Sequence, residues 1–374
     1  MGTEQAALYF LLNGHIAAIC LRTGAALTMQ FLKRFNRAKN TVLRRLKLHT
    51  LNTWLNITYR PPRWEPDKVK RVLLLRLDDK IGDMVVTTGT AKQLADNGYH
   101  VSVLTGNVCK SMLAFCDAVQ QTYLYEKRMS LRSLRAQHFD VVDYERLRLL
   151  FLLAPRHVIG FNKPNSAIYS PKLNWRNSEQ HITERHRQVL ALFNLPPVPF
   201  HYHLGHDPAA AALVAPLTLP ADRRLIAINP FTGAEDKDFS REQVQGLIAH
   251  IRQHHQECRI LLIGHSDKLQ SLQIPTAEYV ANSTINTAIE IVRNADLVIS
   301  PDTSIVHIAC AFNTPLLAVY NTRRLKDSGL VGYKIWAPNY SHATQIVTAC
   351  PAIRDLPLTT LIQALDEKLT QLTH

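Results

Sequence analysis

The sequence lacks the short motifs that identify several common classes of nucleotide and metal enzyme. No segment matches GxxxxGK[ST] or GxGxxG, so a P-loop kinase and a dinucleotide-dependent dehydrogenase are both disfavoured. The six cysteines are scattered without a CxxC pair, and no cluster of histidines and carboxylates shows metal-ligand spacing. This pattern predicts reduced, packed thiols in a cytosolic protein and no metal site.

A long hydrophobic run is also missing. The longest apolar stretch, residues 6–21, has sixteen residues and is interrupted by Asn13, Gly14 and His15. A membrane-spanning helix needs about 20 residues. No basic segment precedes the stretch, so a secretory signal is a poor fit.

Acidic residues are scarce at the start of the chain. The net charge is +13, and residues 1–64 hold ten Lys/Arg against the single acid Glu4. Residues 28–55 interleave these basic residues with leucine and aromatic residues in an amphipathic pattern. We therefore treat residues 1–65 as a leader and expect its helix to bind an anionic membrane surface. Packing on the protein's own surface and binding of nucleic acid remain alternatives, and the nucleic-acid alternative has the least support.

The rest of the chain alternates buried-strand and helix patterns. The 374 residues favour two domains, and the alternation predicts α/β domains with parallel, doubly wound sheets. We place the first domain at residues 66–205, a linker at 206–221, the second domain at 222–355 and a last helix at 356–374. Lys334–Ala337 and Gln345–Thr348 are candidate late strands.

One strand–helix–strand unit stands out at residues 297–321, LVISPDTSIVHIACAFNTPLLAVYN. Asp302, Thr303 and Ser304 occupy the turn before the helix and are good N-cap types, while His307 lies about one turn in. Free amides and the helix dipole make such a turn an anion site. The alternative is that Asp302 only caps the helix and that His307 is a core histidine.

Two other loops follow predicted strands. Asp83 stands at a helix start after Gly82 and could serve as a general base, or could only cap the helix. In the loop from Asn229 to Ser240, small residues near Thr232 could bring amides to a phosphate, and Lys237 could supply a positive charge. The alternative there is a solvent loop with Ser240 as N-cap. Ligands of parallel sheets bind at the carboxyl ends of strands, so these loops could meet.

With these loops in view, the chain resembles glycosyltransferase family 9, the bacterial heptosyltransferases of the lipopolysaccharide inner core. The resemblance covers about residues 70–350. It rests on three segments in order: RVLLLRLDDKIGDMVVTTGTAKQL, NPFTGAEDKDFSREQVQGLI and SPDTSIVHIACAFNTPLLAVYN. It implies a GT-B fold, in which two Rossmann-like domains face each other across a cleft and the last helix crosses back to the first domain. It also implies inverting transfer from ADP-heptose without a metal or other cofactor.

The resemblance also implies roles for single residues. Asp83 matches the general base, and the remaining matches lie on the donor side: Thr232, Lys237, Asp302, Thr303, Ser304 and His307. Where the family often has an acidic residue near the ribose, this chain has Lys268 near that place and Asp267, the candidate donor contact, beside it. Arg76 and Lys80 are candidate charges on the acceptor side.

The expected partners are a nucleotide-sugar donor, a lipopolysaccharide core acceptor and the anionic inner leaflet, with no nucleic acid. The expected location is the cytoplasmic face of the bacterial inner membrane. Two other functions stay open: transfer of another nucleotide sugar to a capsule or glycan acceptor, and non-catalytic binding of a sugar nucleotide.

Overall fold

The computed structural model describes residues 25–126, 131–143, 147–162, 165–175, 179–217, 224–275, 277–325 and 329–372. These residues form two six-stranded sheets with helices between the strands. The first sheet contains β1 (Arg71–Arg76), β2 (His100–Thr105), β3 (Gln121–Leu124), β4 (Asp140–Asp143), β5 (Val158–Phe161) and β6 (Lys172–Leu173). The helices around it are α1 (Ala25–Thr58), α2 (Ile81–Asp96), α3 (Asn107–Leu113), α4 (Arg132–Arg135), α5 (Leu147–Leu153) and α6 (Thr183–Ala191).

After a connecting helix, α7 (Pro208–Val214), the second half repeats the plan. Its strands are β7 (Arg224–Ile228), β8 (Cys258–Leu262), β9 (Glu278–Tyr279), β10 (Leu297–Pro301), β11 (Leu316–Asn321) and β12 (Ala343–Thr348). Its helices are α8 (Arg241–His254), α9 (Ser266–Ser271), α10 (Ile285–Asn294), α11 (Ser304–Phe312), α12 (Gly332–Ile335) and α13 (Leu358–Gln371).

The order of the strands in each sheet determines where the three polar loops lie. The sheets run β3-β2-β1-β4-β5-β6 and β12-β11-β10-β7-β8-β9, and the pairings are parallel throughout. The order in which successive strands are added along the sheet reverses between β1 and β4 and again between β7 and β10. Ligands of open parallel sheets bind beyond the carboxyl ends of strands at such points. The loops after β1, β7 and β10 are the three loops that the sequence singled out.

The strands are buried because helices cover both faces of each sheet. Val72–Leu75 of β1 and Leu297–Pro301 of β10 are buried at every position, as expected for strands covered on both sides. The predicted α/β class is therefore confirmed. Of the two candidate late strands, Gln345–Thr348 lies in β12. The prediction of a strand at Lys334–Ala337 was wrong, because the first two of these residues complete the helix α12.

The last helix does not follow the expected path. Leu361, Leu365 and Leu369 of α13 recur every four residues and are buried in one cluster with Leu247 and Ile251 of α8. The expectation that this helix crosses back to the first domain is wrong for this structure. Its apolar stripe is covered by α8 and the second sheet, in the half of the chain from which it emerges.

The leader helix α1 is docked on the first domain by its final turns. Leu55 is 3% exposed and packs with Leu73 and Leu75 of β1. The Asn56 side chain donates to the Asn165 carbonyl at 2.8 Å. Own-surface packing, one of the three alternatives, therefore holds for this part of the helix. The apolar stretch at residues 6–21 lies outside the described residues, and none of the described helices is long and apolar enough to cross a membrane.

Candidate active site

The first and third loops meet between the two halves. A Cβ added to Gly82, at the start of α2, would lie 3.2 Å from His307 Cδ2 and 3.6 Å from Ser304 Cα of α11. Only a glycine allows this approach without moving the imidazole. The start of α2 and the start of α11 therefore face each other, and Asp83 follows Gly82 directly in the chain.

Asp83 is held by a buried arginine. Arg76, the last residue of β1, donates from one terminal nitrogen to Asp83 Oδ1 at 3.0 Å and from Nε to Thr87 Oγ1 at 2.8 Å. Thr87 in turn donates to the Asp83 carbonyl at 2.7 Å. Asp83 itself remains partly exposed. This network fixes the direction of the carboxylate and leaves it partly accessible to solvent.

The same contacts change the role expected for Arg76. We predicted an acceptor-side charge, but the side chain is 6% exposed and its guanidinium is directed at Asp83 and Thr87. Its position fits orientation of Asp83 rather than contact with a substrate. Lys80, the other acceptor-side candidate, is exposed at the N-cap of α2 and lies three residues before Asp83.

The loop after β7 is closed by an aspartate. Asp238 is buried, and its Oδ1 accepts from the Thr232 backbone N–H at 2.6 Å and from Thr232 Oγ1 at 2.9 Å. Asp236 and Asp238 flank Lys237 in a D-x-D spacing, but their carboxylates face different partners, because Asp236 pairs with Arg323. A Cβ on Gly233 would meet nothing within 4 Å, so the loop presents open backbone there.

Lys237 links this loop to the third one. Its ammonium forms an ion pair with Asp302 Oδ2, and both side chains are largely buried. Thr303 is the N-cap of α11 in extended conformation, and its side chain makes no capping hydrogen bond. The amides at the start of α11 therefore remain available beside a lysine, an arrangement suited to a phosphate group.

His307 is neutral. It is 4% exposed and lies between the rings of Tyr202 and Trp336, with ring centroids at 5.9 and 5.5 Å. Burial lowers the pKa of His307 to about 3, and the nearby His181 acts in the same direction. Within the described residues neither ring nitrogen of His307 hydrogen bonds to the protein. A neutral imidazole with a free nitrogen can exchange hydrogen bonds with a ligand but cannot serve as a cation.

Asp267 lies further from these contacts. It is exposed in the first turn of α9, where Lys268 donates to the Thr232 carbonyl at 3.5 Å and lies over the Phe231 ring. The structure thus brings α9 to the edge of the loop after β7 through Lys268 rather than through Asp267.

Two residues of the site, Tyr202 and Trp336, were not predicted from the sequence. Tyr202 lies in the segment after α6 and Trp336 in the segment predicted to be a strand, yet both pack on His307. Asn229, the first residue of the loop after β7, donates from Nδ2 to Ser300 Oγ of β10 at 3.0 Å and so joins the ends of the two switch-point strands. No spacing motif marks these residues, because they approach one another only through the fold.

Two Rossmann-like domains, with a carboxylate on one side of the cleft and a lysine and helix start on the other, define a GT-B glycosyltransferase. The profile of glycosyltransferase family 9 (heptosyltransferase) matches residues 129–349. The chain belongs to this family.

Individual relatives agree with this assignment. A curated relative from Escherichia coli (strain K12), provisionally named lipopolysaccharide heptosyltransferase 4, is 23% identical over 352 residues, covering 88% of this chain and 96% of the relative. Among solved structures, the family 9 glycosyl transferase of Veillonella parvula DSM 2008 has a TM-score of 0.68 at 12% identity, covering 81% of this chain and 97% of that chain. E. coli ADP-heptose lps heptosyltransferase II has a TM-score of 0.65 at 15% identity, covering 81% of this chain and 99% of that chain. E. coli heptosyltransferase WaaC with ADP has a TM-score of 0.62 at 18% identity, covering 80% of this chain and 99% of that chain.

Proposed function

We propose that this glycosyltransferase transfers a heptose from ADP-heptose, with inversion and without a metal, to an anionic acceptor of the lipopolysaccharide inner core. The observation that supports the proposal is the close approach of Gly82 to His307, which brings the start of α2, where Asp83 lies, to the start of α11, which follows the Lys237–Asp302 ion pair in the preceding turn. The names of the E. coli relatives support ADP-heptose as donor and lipopolysaccharide as the product class.

On the donor side, the leaving group is a nucleoside diphosphate. As the bond between the anomeric carbon and the phosphate oxygen breaks, the electron pair leaves with the diphosphate and negative charge grows there. Lys237 and the free amides at the start of α11 would meet this charge, since preorganised donors act most strongly where charge develops. In the free protein Asp302 holds Lys237 near this position.

On the acceptor side, the attacking hydroxyl must lose its proton as its oxygen bonds to the anomeric carbon. Asp83 would take that proton as general base from the face opposite the diphosphate, which gives inversion. Arg76 and Thr87 would hold the carboxylate in the required direction. His307, neutral at physiological pH, would exchange hydrogen bonds with the donor sugar or its phosphates.

A thermal-shift panel of ADP-, GDP- and UDP-sugars, with ADP-heptose included, tests the donor directly. We expect ADP-heptose to raise the melting temperature most and to be consumed when an inner-core acceptor is added. A larger shift with a GDP- or UDP-sugar would point to the alternative donor class. Binding of ADP-heptose without transfer to any acceptor would point to a non-catalytic sugar-nucleotide protein.

We further propose that α1 holds the enzyme on the anionic inner leaflet, at the cytoplasmic face of the inner membrane. Leu43, Leu46 and Trp54 are exposed on α1, and the Trp54 ring packs edge-on against exposed Phe151 of α5 at 5.7 Å. Lys47 lines the same groove and is exposed. An apolar surface bordered by cations suits an interfacial helix on acidic phospholipid.

Point variants test this better than removal of the leader, because deletion of α1 would uncover the core around Leu55. The triple variant Leu43→Ser, Leu46→Ser, Trp54→Ser should reduce the affinity for phosphatidylglycerol vesicles by at least about a hundredfold. Burial of each apolar side chain contributes roughly 1.5–3 kcal/mol of binding free energy. Transfer to a soluble acceptor should persist. Leu213→Ser, at an exposed leucine of α7, is the matched control. Unchanged vesicle binding by the triple variant would refute the membrane proposal.

A further inference from the structure

A histidine–carboxylate cluster lies at the other end of the second domain. His250, His255 and Asp366 each direct one ligand atom into a common space, and these atoms all lie within 4.8 Å of one another. The sequence predicted no metal site at this cluster. Asp366 is 116 and 111 residues away from the two histidines, so no local spacing reveals it.

The distances are close to those of a four-coordinate metal site. His250 Nε2 lies 2.7 Å and His255 Nε2 lies 3.5 Å from the same oxygen, Asp366 Oδ1. Bonds of about 2.0–2.1 Å in a tetrahedron place ligand atoms roughly 3.3–3.4 Å apart. The second distance already fits, and the first must open by about 0.6 Å, a change that a rotation of either side chain can supply.

The backbone holds these ligands in place before any metal binds. His250 lies near the end of α8, and His255 is its C-cap, with its N–H donating to the Ile251 carbonyl at 2.7 Å. The His255 carbonyl in turn accepts from the Cys258 N–H at 2.9 Å, where β8 begins. Asp366 lies on α13, whose leucines pack against α8. Each ligand thus stands on an element fixed by the core.

The ligands are also accessible from solvent. The side chains of His250, His255 and Asp366 are 16%, 24% and 46% exposed, so an ion can enter and a water can complete the coordination. Two imidazoles and one carboxylate suit Zn²⁺ and its transition-metal neighbours rather than Mg²⁺ or Ca²⁺, which prefer oxygen ligands.

The location excludes a direct part in sugar transfer. His255 lies three residues before Cys258, the first residue of β8, at the amino edge of the second sheet, whereas the candidate active site lies at the carboxyl edge. Along α8, His250 is ten residues from the Ser240 cap that follows the phosphate loop, which is about 15 Å of helix.

We propose that His250, His255 and Asp366 bind one divalent transition-metal ion, with Zn²⁺ as the fitting ion, and that the bound ion fastens α13 to α8. The C-terminal helix is then held by a coordination bond at its outer face as well as by its leucine stripe. The bound ion stabilises the fold, because it binds the folded chain and not the separated helices.

The test titrates Zn²⁺ into the full-length, chelator-treated protein and follows binding by calorimetry and melting temperature. We expect one Zn²⁺ per chain and a rise of several degrees in melting temperature. Asp366→Asn keeps the side-chain shape and removes the ligand charge, so it should weaken Zn²⁺ binding at least tenfold and remove the rise. Co²⁺ should give the visible spectrum of a tetrahedral site in the wild-type chain and lose it in Asp366→Asn.

His254→Ala is the matched control. His254 is exposed on α8, and its ring lies 4.6 Å from that of His250, but it is outside the three-ligand cluster. We expect this variant to retain wild-type Zn²⁺ affinity. If His254→Ala abolishes binding while Asp366→Asn does not, the ion sits on a pair of histidines of one helix and the proposal fails. Absence of stoichiometric Zn²⁺ binding to the wild-type chain would also overturn it.

Discussion

Replacement of Lys237 by methionine tests the diphosphate site most sharply. The substitution keeps most of the length of the side chain and removes the only charge that it carries. In the free protein the ammonium is paired with Asp302, and the two side chains are 22% and 12% exposed. Asp302 would remain beside the start of α11, whose dipole favours a carboxylate, so we expect only a small loss of stability.

The effect on transfer should be much larger. Removal of one preorganised donor from a site of developing charge costs about 10²–10³ in kcat, equivalent to about 2.7–4 kcal/mol. We therefore expect kcat/KM for ADP-heptose to fall about 10²–10³-fold in Lys237→Met. A charge-assisted hydrogen bond contributes about 1.5–3 kcal/mol, so calorimetry should show ADP affinity about 10–100-fold weaker.

Lys92→Met is the control, because Lys92 forms an exposed ion pair with Asp96 within α2. Steady-state kinetics of both variants, together with ADP titration, separate a local effect from a general loss of positive charge. A kcat/KM of Lys237→Met within threefold of the wild-type value would refute the assignment. An equal loss in both variants would do the same.

Three further predictions concern stability. Burial keeps the pKa of His307 at about 3, whereas the pKa of a histidine in the unfolded chain is about 6.5, so between these pH values the unfolded chain binds one more proton than the folded chain. The free energy of unfolding should therefore fall by up to about 1.4 kcal/mol per pH unit below pH 6.5. His307→Gln should flatten the fall in melting temperature between pH 6.5 and 4.5, and an unchanged profile would contradict this. Leu55→Ala should lower the free energy of unfolding by about 2–5 kcal/mol and make α1 sensitive to limited proteolysis. Ile57→Ala, at a 69% exposed position, should change stability little. Equal effects of the two variants would argue against docking of the helix. Gly246→Ala would bring a Cβ to 2.3 Å from a methyl group of Leu358 on α13. This clash, at about 1–3 kcal/mol, should offset or outweigh the roughly 1 kcal/mol that alanine gains over glycine inside a helix, with the open position Gly233→Ala as control in urea unfolding. A Gly246→Ala variant stabilised by the full 1 kcal/mol or so of helix propensity would indicate that α13 is loosely packed.

Local patterns predicted the elements that carry the site. The run from Leu297 to Asn321 folds as strand, turn and helix because its buried strand pattern, cap-type residues and helical apolar spacing agree. The same reasoning placed Asp83 at a helix start. Because parallel strands end at one edge of a sheet, the meeting of these loops could also be anticipated.

Contacts between distant segments could not be predicted in this way. The leucine stripe of α13 shows that the helix packs, but not that α8 provides the surface. The β-branched and aromatic residues of Lys334–Ala337 suggest a strand, whereas the backbone turns into α12 and places Trp336 against His307. Arg76 looked like a solvent-facing charge, since its partner Asp83 comes from the next element.

The central claim is that a carboxylate of the first domain deprotonates the acceptor while the second domain holds the departing diphosphate. Asp83→Asn tests it most directly, because the amide keeps the size of the side chain and an oxygen for Arg76 but cannot accept the proton. Turnover of ADP-heptose with an inner-core acceptor and the donor dissociation constant should be measured on the same preparation. The account predicts that turnover falls by about 10²–10⁴-fold while donor affinity stays within twofold of wild type. Turnover near the wild-type rate would contradict it.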